Sequence, residues 1–216
     1  GGKLLIAGNG GSAADAEHIV GELMKGFENK RTVATDFKEK LSSIDSEIGK
    51  FLGDNLQCGL PAIALDGHFS LNTAVMNDCS PMLCFAQQVN GYGSKNDVFL
   101  GISTSGNSKN IIYAATVAKA KGMKVLGLTG ANDSMLSQLS DVTIRSPQTR
   151  TYMIQEHHLP IYHQSIIVRQ KYFQDLRSYE VLWIYHNRMD QPKQQILYLQ
   201  FPDLNLVQQL HRCHKF

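Results

Sequence analysis

The sequence predicts an α/β fold, a three-layer α-β-α sandwich around a parallel, Rossmann-like sheet. Two observations carry that prediction. Short apolar runs recur at 3–7 (KLLIA), 61–65 (PAIAL), 97–102 (DVFLGI), 124–129 (KVLGLT) and 141–145 (DVTIR), and stretches of helical character alternate with them. The runs are continuous rather than alternating apolar and polar, as strands covered on both faces are. Right-handed crossovers then place the C-terminal ends of these strands on one rim, where open α/β sheets bind ligands.

The elements follow in order. The strand at 3–7 enters Gly8-Asn9-Gly10-Gly11-Ser12 and an alanine-rich helix from Ala13 to about residue 27. Residues 28–36 are polar and loop-like. Phe37, Leu41, Ile44, Ile48 and Leu52 recur at three- and four-residue spacing, which predicts one amphipathic helix with its apolar stripe used for packing and its end at Gly53-Asp54-Asn55. After the strand at 61–65 come a helix around 71–76 and a short one over 81–89. The strand at 97–102 leads into Ser103-Thr104-Ser105-Gly106-Asn107-Ser108 and a helix to about residue 121. A short helix separates the last two strands, and a final helix covers about 153–173. Residues 174–216 are glutamine-rich, contain Trp183, Pro192 and Pro202, and show no clear period; they are expected to be an appendage to a domain of residues 1–173.

Composition narrows the function. The 216 residues are 43% hydrophobic and 19% charged, ordinary for a globular protein with a sizeable core. The net charge of +2 gives no global field that selects nucleic acid or membrane, so any anion is bound locally. Cys58, Cys79, Cys84 and Cys213 have neither CxxC nor finger spacing and are expected to be small buried thiols in a reducing compartment. No apolar run approaches the roughly 20 residues of a membrane span. The chain opens Gly1-Gly2-Lys3 and passes directly into a strand, so a cytoplasmic location without a leader is expected.

Four constellations carry possible chemistry. In GNGGS at 8–12, glycines let backbone N–H groups approach an anion beside a helix N-terminus. Gly8-x-Gly10-x-x-Ala13 nearly matches a dinucleotide fingerprint, but the required acidic residue should follow by about 20 positions. The second strand instead ends at Asp66. In STSGNS, the hydroxyls of Ser103, Thr104, Ser105 and Ser108 suit the oxygens of a phosphate monoester; an ordinary helix cap needs only one. His18 and Glu22 share one helix face and could hold a metal, shuttle protons or form a plain surface pair. Gln155-Glu156-His157-His158 is followed by His163, and Gln155 and His163 lie about 12 Å apart along an ideal helix. A bend at Pro160, contributions from two subunits, or simply solvated histidines would each account for that segment.

Together these residues resemble the sugar-isomerase (SIS) domain family. The resemblance spans about 3–173. It rests on Gly8 to Ala16 with His18 and Glu22, on Asn77-Asp78, on Gly101 to Ser108, on Gly127-Leu128-Thr129-Gly130, and on Ile154-Gln155-Glu156 with His158 and His163. It implies that Ser103, Thr104, Ser105 and Ser108 bind a substrate phosphate, and that Asn9, Gly10, Ser12, Asn77, Asp78 and Gln155 bind the rest of the sugar. It further implies Glu22 and His163 as the catalytic acid/base pair, a possible Zn²⁺ on His18, Glu22, Gln155 and His163, and a homotetramer with active sites at subunit interfaces. The implied reaction interconverts sedoheptulose 7-phosphate and D-glycero-D-manno-heptose 7-phosphate through a cis-enediol, early in nucleotide-heptose synthesis. A non-catalytic module that senses a phosphosugar or serves as an adaptor is the alternative. The small phosphorylated sugar is the expected partner, with no nucleic acid or membrane. Compared with the family, a leading helical segment is missing, 28–59 is longer and resembles a subfamily insertion, and the sequence after residue 173 has no counterpart.

Overall fold

The computed structural model describes residues 2–175 and 196–197, with side chains as far as residue 166. Strands β1 (Leu4–Ala7), β2 (Ala62–Ala64), β3 (Val98–Ile102), β4 (Lys124–Thr129), β5 (Val142–Arg145) and β6 (Ile196–Leu197) form one sheet. Its order is β2-β1-β3-β4-β5-β6, and every pairing is parallel. The order reverses at β1: β2 lies on one side of it and β3 on the other. That is the switch point at which doubly wound sheets open a ligand crevice.

Successive strand residues face opposite layers. Leu5, Ala7, Phe99 and Val125 pack against α5 (Cys84–Tyr92), α6 (Lys109–Ala120) and α7 (Met135–Leu139), through Phe85, Val89, Ile111, Ala115 and Leu136. Ile6, Ile102 and Leu128 pack on the opposite face against α1 (Gly11–Met24) and α8 (Thr151–Asp175), through Ala16, Ile19, Leu23, Ile161 and Tyr162. Three layers follow directly from this division, as the sequence predicts.

A buried carboxylate fixes the register that matters for the site. Asp97 accepts from the Lys3 backbone N–H at 2.8 Å, the Lys3 ammonium at 2.6 Å, and both the N–H and the hydroxyl of Ser94 at 2.8 Å. Burial opposes the charge, but these bonds outweigh it and hold the Asp97 pKa down to about 2. The clamp ties the start of β1 to the start of β3, and Ala7 pairs with Gly101 at the other end.

Three expectations need correction. The single amphipathic helix predicted from Phe37 to Leu52 is a hairpin of α2 (Thr35–Ile44) and α3 (Ser46–Asn55). Asp45 breaks it by adopting an extended conformation and capping α3, its side chain accepting from Glu47 N and Ile48 N. Much of the stripe is not packed among the described residues: Ile44 is 84% exposed and Ile48 60%. Of the cysteines, Cys84 is buried but Cys58 and Cys79 are exposed. Cys213 and all of 176–216 except the β6 residues lie outside the described residues. The region after 173 is therefore described only by the end of α8 and by Ile196–Leu197 pairing with Thr143 and Ile144 of β5. The helix expected at 71–76 is α4 (Phe69–Asp78), and a 3-10 turn at Pro81–Leu83 precedes α5. Among the described residues no helix is long and apolar enough to cross a membrane.

Candidate active site

Because β1 and β3 are neighbours, the loops leaving their C-terminal ends emerge side by side. The loop after β1 turns sharply at Gly10, whose φ of 56° favours glycine, and delivers the chain into α1. The loop after β3 turns at Gly106, φ 64°, before α6. A reciprocal amide pair joins them: Asn9 Nδ2 donates to Asn110 Oδ1 at 3.0 Å and Asn110 Nδ2 donates to Asn9 Oδ1 at 2.8 Å. Asn110 also accepts from Ile111 N, in the first turn of α6. Sequence reasoning missed Asn110, because its partner is 101 positions away and nothing local marks it.

The hydroxyl loop is built to hold its own shape while facing outward. Ser103 is buried and its hydroxyl lies 3.0 Å from that of Ser108. Ser108 is the N-cap residue of α6, yet its side chain makes no capping bond. Ser105 is exposed, and its hydroxyl accepts from Asn107 N at 3.1 Å. Thr104 lies between them, its carbonyl accepting from Gly130 N at 3.1 Å. The Ser103 and Ser108 hydroxyls therefore meet, with Thr104 and Ser105 in the same loop, at the start of a helix whose first amides lack intrahelical acceptors, an arrangement suited to a phosphate dianion.

Two other expected residues come to the same rim. Ser12 is buried in the first turn of α1. Gln155 reaches from α8 to the N-terminus of α1, where a Cβ on Gly11 would come within 2.6 Å of its Nε2. Asn77 and Asp78 end α4; both are exposed, and Asn77 Nδ2 donates to Asp78 Oδ1 at 2.8 Å. The 3-10 turn that follows them packs against α6.

The remaining residues form a second cluster farther down α1. His18 Nε2 lies 3.5 Å from Glu22 Oε1, and Lys25 donates to Glu22 Oε2 at 3.0 Å. The His163 ring stands edge-on to His18 at 5.1 Å and against Phe27 at 5.2 Å. His163 Nε2 is buried without a hydrogen-bond partner. Burial, followed by the proximity of His18, lowers the His163 pKa, which favours a neutral ring. Tyr162, Asp15 and His158 complete the surroundings: the Tyr162 hydroxyl meets His18 Nδ1 at 2.9 Å and Asp15 Oδ1 at 3.4 Å, and His158 Nδ1 lies 4.0 Å from Asp15 Oδ2. Sequence reasoning passed over Tyr162 entirely, since an aromatic residue on a buried helix face is ordinary core.

The structure thus gathers the expected residues into two halves. At about 1.5 Å per residue, Glu22 lies about 16 Å along α1 from Gly11. Among the described residues no hydrogen bond or ion pair joins Glu22 or His163 to the hydroxyl loop. Gln155 likewise makes no hydrogen bond to His18, Glu22 or His163, its amide lying beside Gly11. Among the described residues no group of three or more His, Cys, Asp and Glu is arranged to hold a metal ion. The donor chemistry of His18, Glu22 and His163, two imidazoles and a carboxylate with one ring nitrogen left unpartnered, nevertheless fits zinc.

Comparison with known proteins agrees with this architecture. The SIS domain family matches residues 55–130, which run from the end of α3 through β4 and include the hydroxyl loop. A phosphoheptose isomerase of Aneurinibacillus thermoaerophilus is 40% identical over 163 residues, covering 76% of this chain and 69% of that protein. Phosphoheptose isomerase 2 of Campylobacter jejuni is 41% identical, covering 76% and 68%. The solved phosphoheptose isomerase of Neisseria gonorrhoeae is similar with a TM-score of 0.62 and 32% identity, covering 79% of this chain and 77% of that one. That of Francisella tularensis gives the same TM-score and identity over 77% and 75%. Likeness of this extent, carried by both sequence and fold, shows that the chain belongs to the phosphoheptose isomerase family.

Proposed function

We propose that this enzyme interconverts sedoheptulose 7-phosphate and D-glycero-D-manno-heptose 7-phosphate. The observation that carries the reading is the pairing of the two loops at the β1/β3 switch point, latched by Asn9 and Asn110. One loop offers hydroxyls and a helix start to the phosphate. The other offers Asn9, Gly10 and Ser12 to the sugar, with Gln155 beside it. The phosphate is remote from the reacting carbons, so its binding energy fixes orientation.

Isomerisation moves a proton between C1 and C2. Glu22 is the carboxylate that takes the C1 proton of the ketose, giving a cis-enediol, and returns it at C2. A neutral His163 relays protons between the two oxygens and opens the sugar ring. A bound Zn²⁺ would be held by His18, Glu22, Gln155 and His163 and would supply Lewis-acid polarisation of the carbonyl.

The separation of the two halves supports a site shared between copies, in which Glu22 and His163 of one protomer serve the loops of another. The exposed apolar side chains of the α2–α3 hairpin, with Phe69 at 79% exposure on α4, are surface of the kind that association covers. A homotetramer fits this reading, as does a domain of residues 1–173 that carries the site.

The test is turnover by the purified chain of sedoheptulose 7-phosphate and of a panel of hexose and amino-sugar phosphates, with and without chelator. Conversion of the heptulose in preference to the others supports the proposal. Tight binding without conversion of any of them refutes it in favour of a sugar-phosphate sensor.

A further inference from the structure

The cluster around His18 contains more than a base and a relay. Tyr162 is 5% exposed, its ring packed in the α1/α8 core and set edge-on to both His18 and His163. Its hydroxyl has two partners, His18 Nδ1 at 2.9 Å and Asp15 Oδ1 at 3.4 Å, and only one proton to give. Asp15 precedes His18 by three positions, on the same face of α1. A carboxylate oxygen can only accept. Both contacts are satisfied together when the phenol donates to Asp15 and accepts from an Nδ1–H of His18.

A ring with its proton on Nδ1 carries its lone pair on Nε2. That atom lies 3.5 Å from Glu22 Oε1, and the His163 ring stands edge-on to the His18 ring at 5.1 Å. The Nε2 lone pair and the Glu22 carboxylate oxygen are both electron-rich, so their approach invites a proton or a cation between them. A histidine that acts through one ring nitrogen commonly has its other N–H held by such an outer partner.

We propose that Tyr162 and Asp15 are positioning residues: they fix His18 as the Nδ1–H tautomer and present its Nε2 to Glu22. The inference deepens the functional reading and rests on it only for the use to which that nitrogen is put.

The experiment uses the full chain labelled with ¹⁵N-histidine. Long-range ¹H–¹⁵N correlation spectra are recorded at pH 8.5, and His18 is assigned from the signal lost in His18→Gln. The wild type is expected to show the Nδ1–H pattern. Tyr162→Phe is expected to lose it in favour of the Nε2–H form, and Asp15→Ala to do the same, whereas Asp15→Asn, whose amide oxygen still accepts, keeps it. Zinc affinity measured by calorimetry is expected to fall about 10- to 100-fold in Tyr162→Phe. An Nε2–H pattern in the wild type overturns the proposal whether or not the variants fold, and so does an unchanged pattern in Tyr162→Phe. Full turnover by His18→Gln would instead sink the use of His18 in the reaction while leaving the tautomer result standing.

Discussion

Gly106→Ala tests whether the hydroxyl loop is shaped by the backbone conformation seen here. The residue has φ 64°, which costs an L-residue roughly 1–2 kcal/mol. A Cβ there would also overlap the side chain of Ser134. Ser134 is 5% exposed and caps α7, its hydroxyl accepting from Ser137 N at 3.2 Å while Ser137 Oγ accepts from Ser134 N at 3.0 Å. Displacing it costs a further cap of about 1 kcal/mol. The expected loss is therefore about 2–3 kcal/mol, read from urea denaturation followed by circular dichroism. Ser134→Gly removes the obstructing atoms, so in that background Gly106→Ala should cost about 1 kcal/mol less. A single variant within about 0.5 kcal/mol of wild type, the range of an inconsequential surface change, would refute the reasoning. An undiminished penalty in the Ser134→Gly background would do the same.

Three further outcomes follow from other parts of the molecule. Asn110→Ala breaks the latch between the loops; removing a net hydrogen bond of about 1 kcal/mol should lower kcat/KM roughly fivefold, mostly through KM, and steady-state kinetics unchanged from wild type would deny Asn110 that role. If the site is shared between copies, mixing inactive Glu22→Gln with inactive Ser105→Glu subunits should restore part of the activity, because mixed assemblies contain some intact sites; no recovery after subunit exchange would place both halves in one protomer. On acidification, the buried His158 and the half-buried Asp66 oppose each other. Burial holds the His158 pKa down to about 4, so its contribution to stability is fully present above the unfolded value of about 6.5 and is lost as pH falls toward 4. Burial, with the charge of Glu17 adding to it, pushes the Asp66 pKa up to about 6, so its contribution is fully present below about 3.9 and is lost as pH rises through 6. Asp66→Asn removes the opposing gain, and its stability should fall about 2 kcal/mol further than that of wild type between pH 6 and 4; parallel urea-stability profiles would contradict this.

Much of this was legible in the sequence because local physics encodes it. Strands β1, β3 and β4 are continuous apolar runs, and the loops after β1 and β3 carry glycines where φ is positive and hydroxyls beside a helix start. The α2–α3 break was not legible from periodicity, since Phe37, Leu41, Ile44, Ile48 and Leu52 keep helical phase across Asp45. The signal that could have found it is Asp45 followed by Ser46 and Glu47, a cap at the start of a second helix. What closes the hairpin is Gly49, where a Cβ would overlap the Leu41 backbone, and a residue without a side chain leaves no hydrophobic trace. Asn110 and Tyr162 were illegible for another reason: their partners, Asn9 and His18, come from distant segments, and only the adjacency of β1 with β3 and of α1 with α8 creates those contacts. The two-part layout of the site was equally hidden, because spacing along α1 shows which residues share a face but not what approaches that face.

The central claim is that Glu22 moves a proton on a sugar phosphate. Sedoheptulose 7-phosphate incubated with the enzyme in heavy water, followed by mass spectrometry and proton NMR, measures it directly. Deuterium should enter at the carbon next to the carbonyl with wild type, and Glu22→Gln should abolish that exchange while still binding the sugar phosphate. Exchange that persists undiminished in Glu22→Gln would contradict the account.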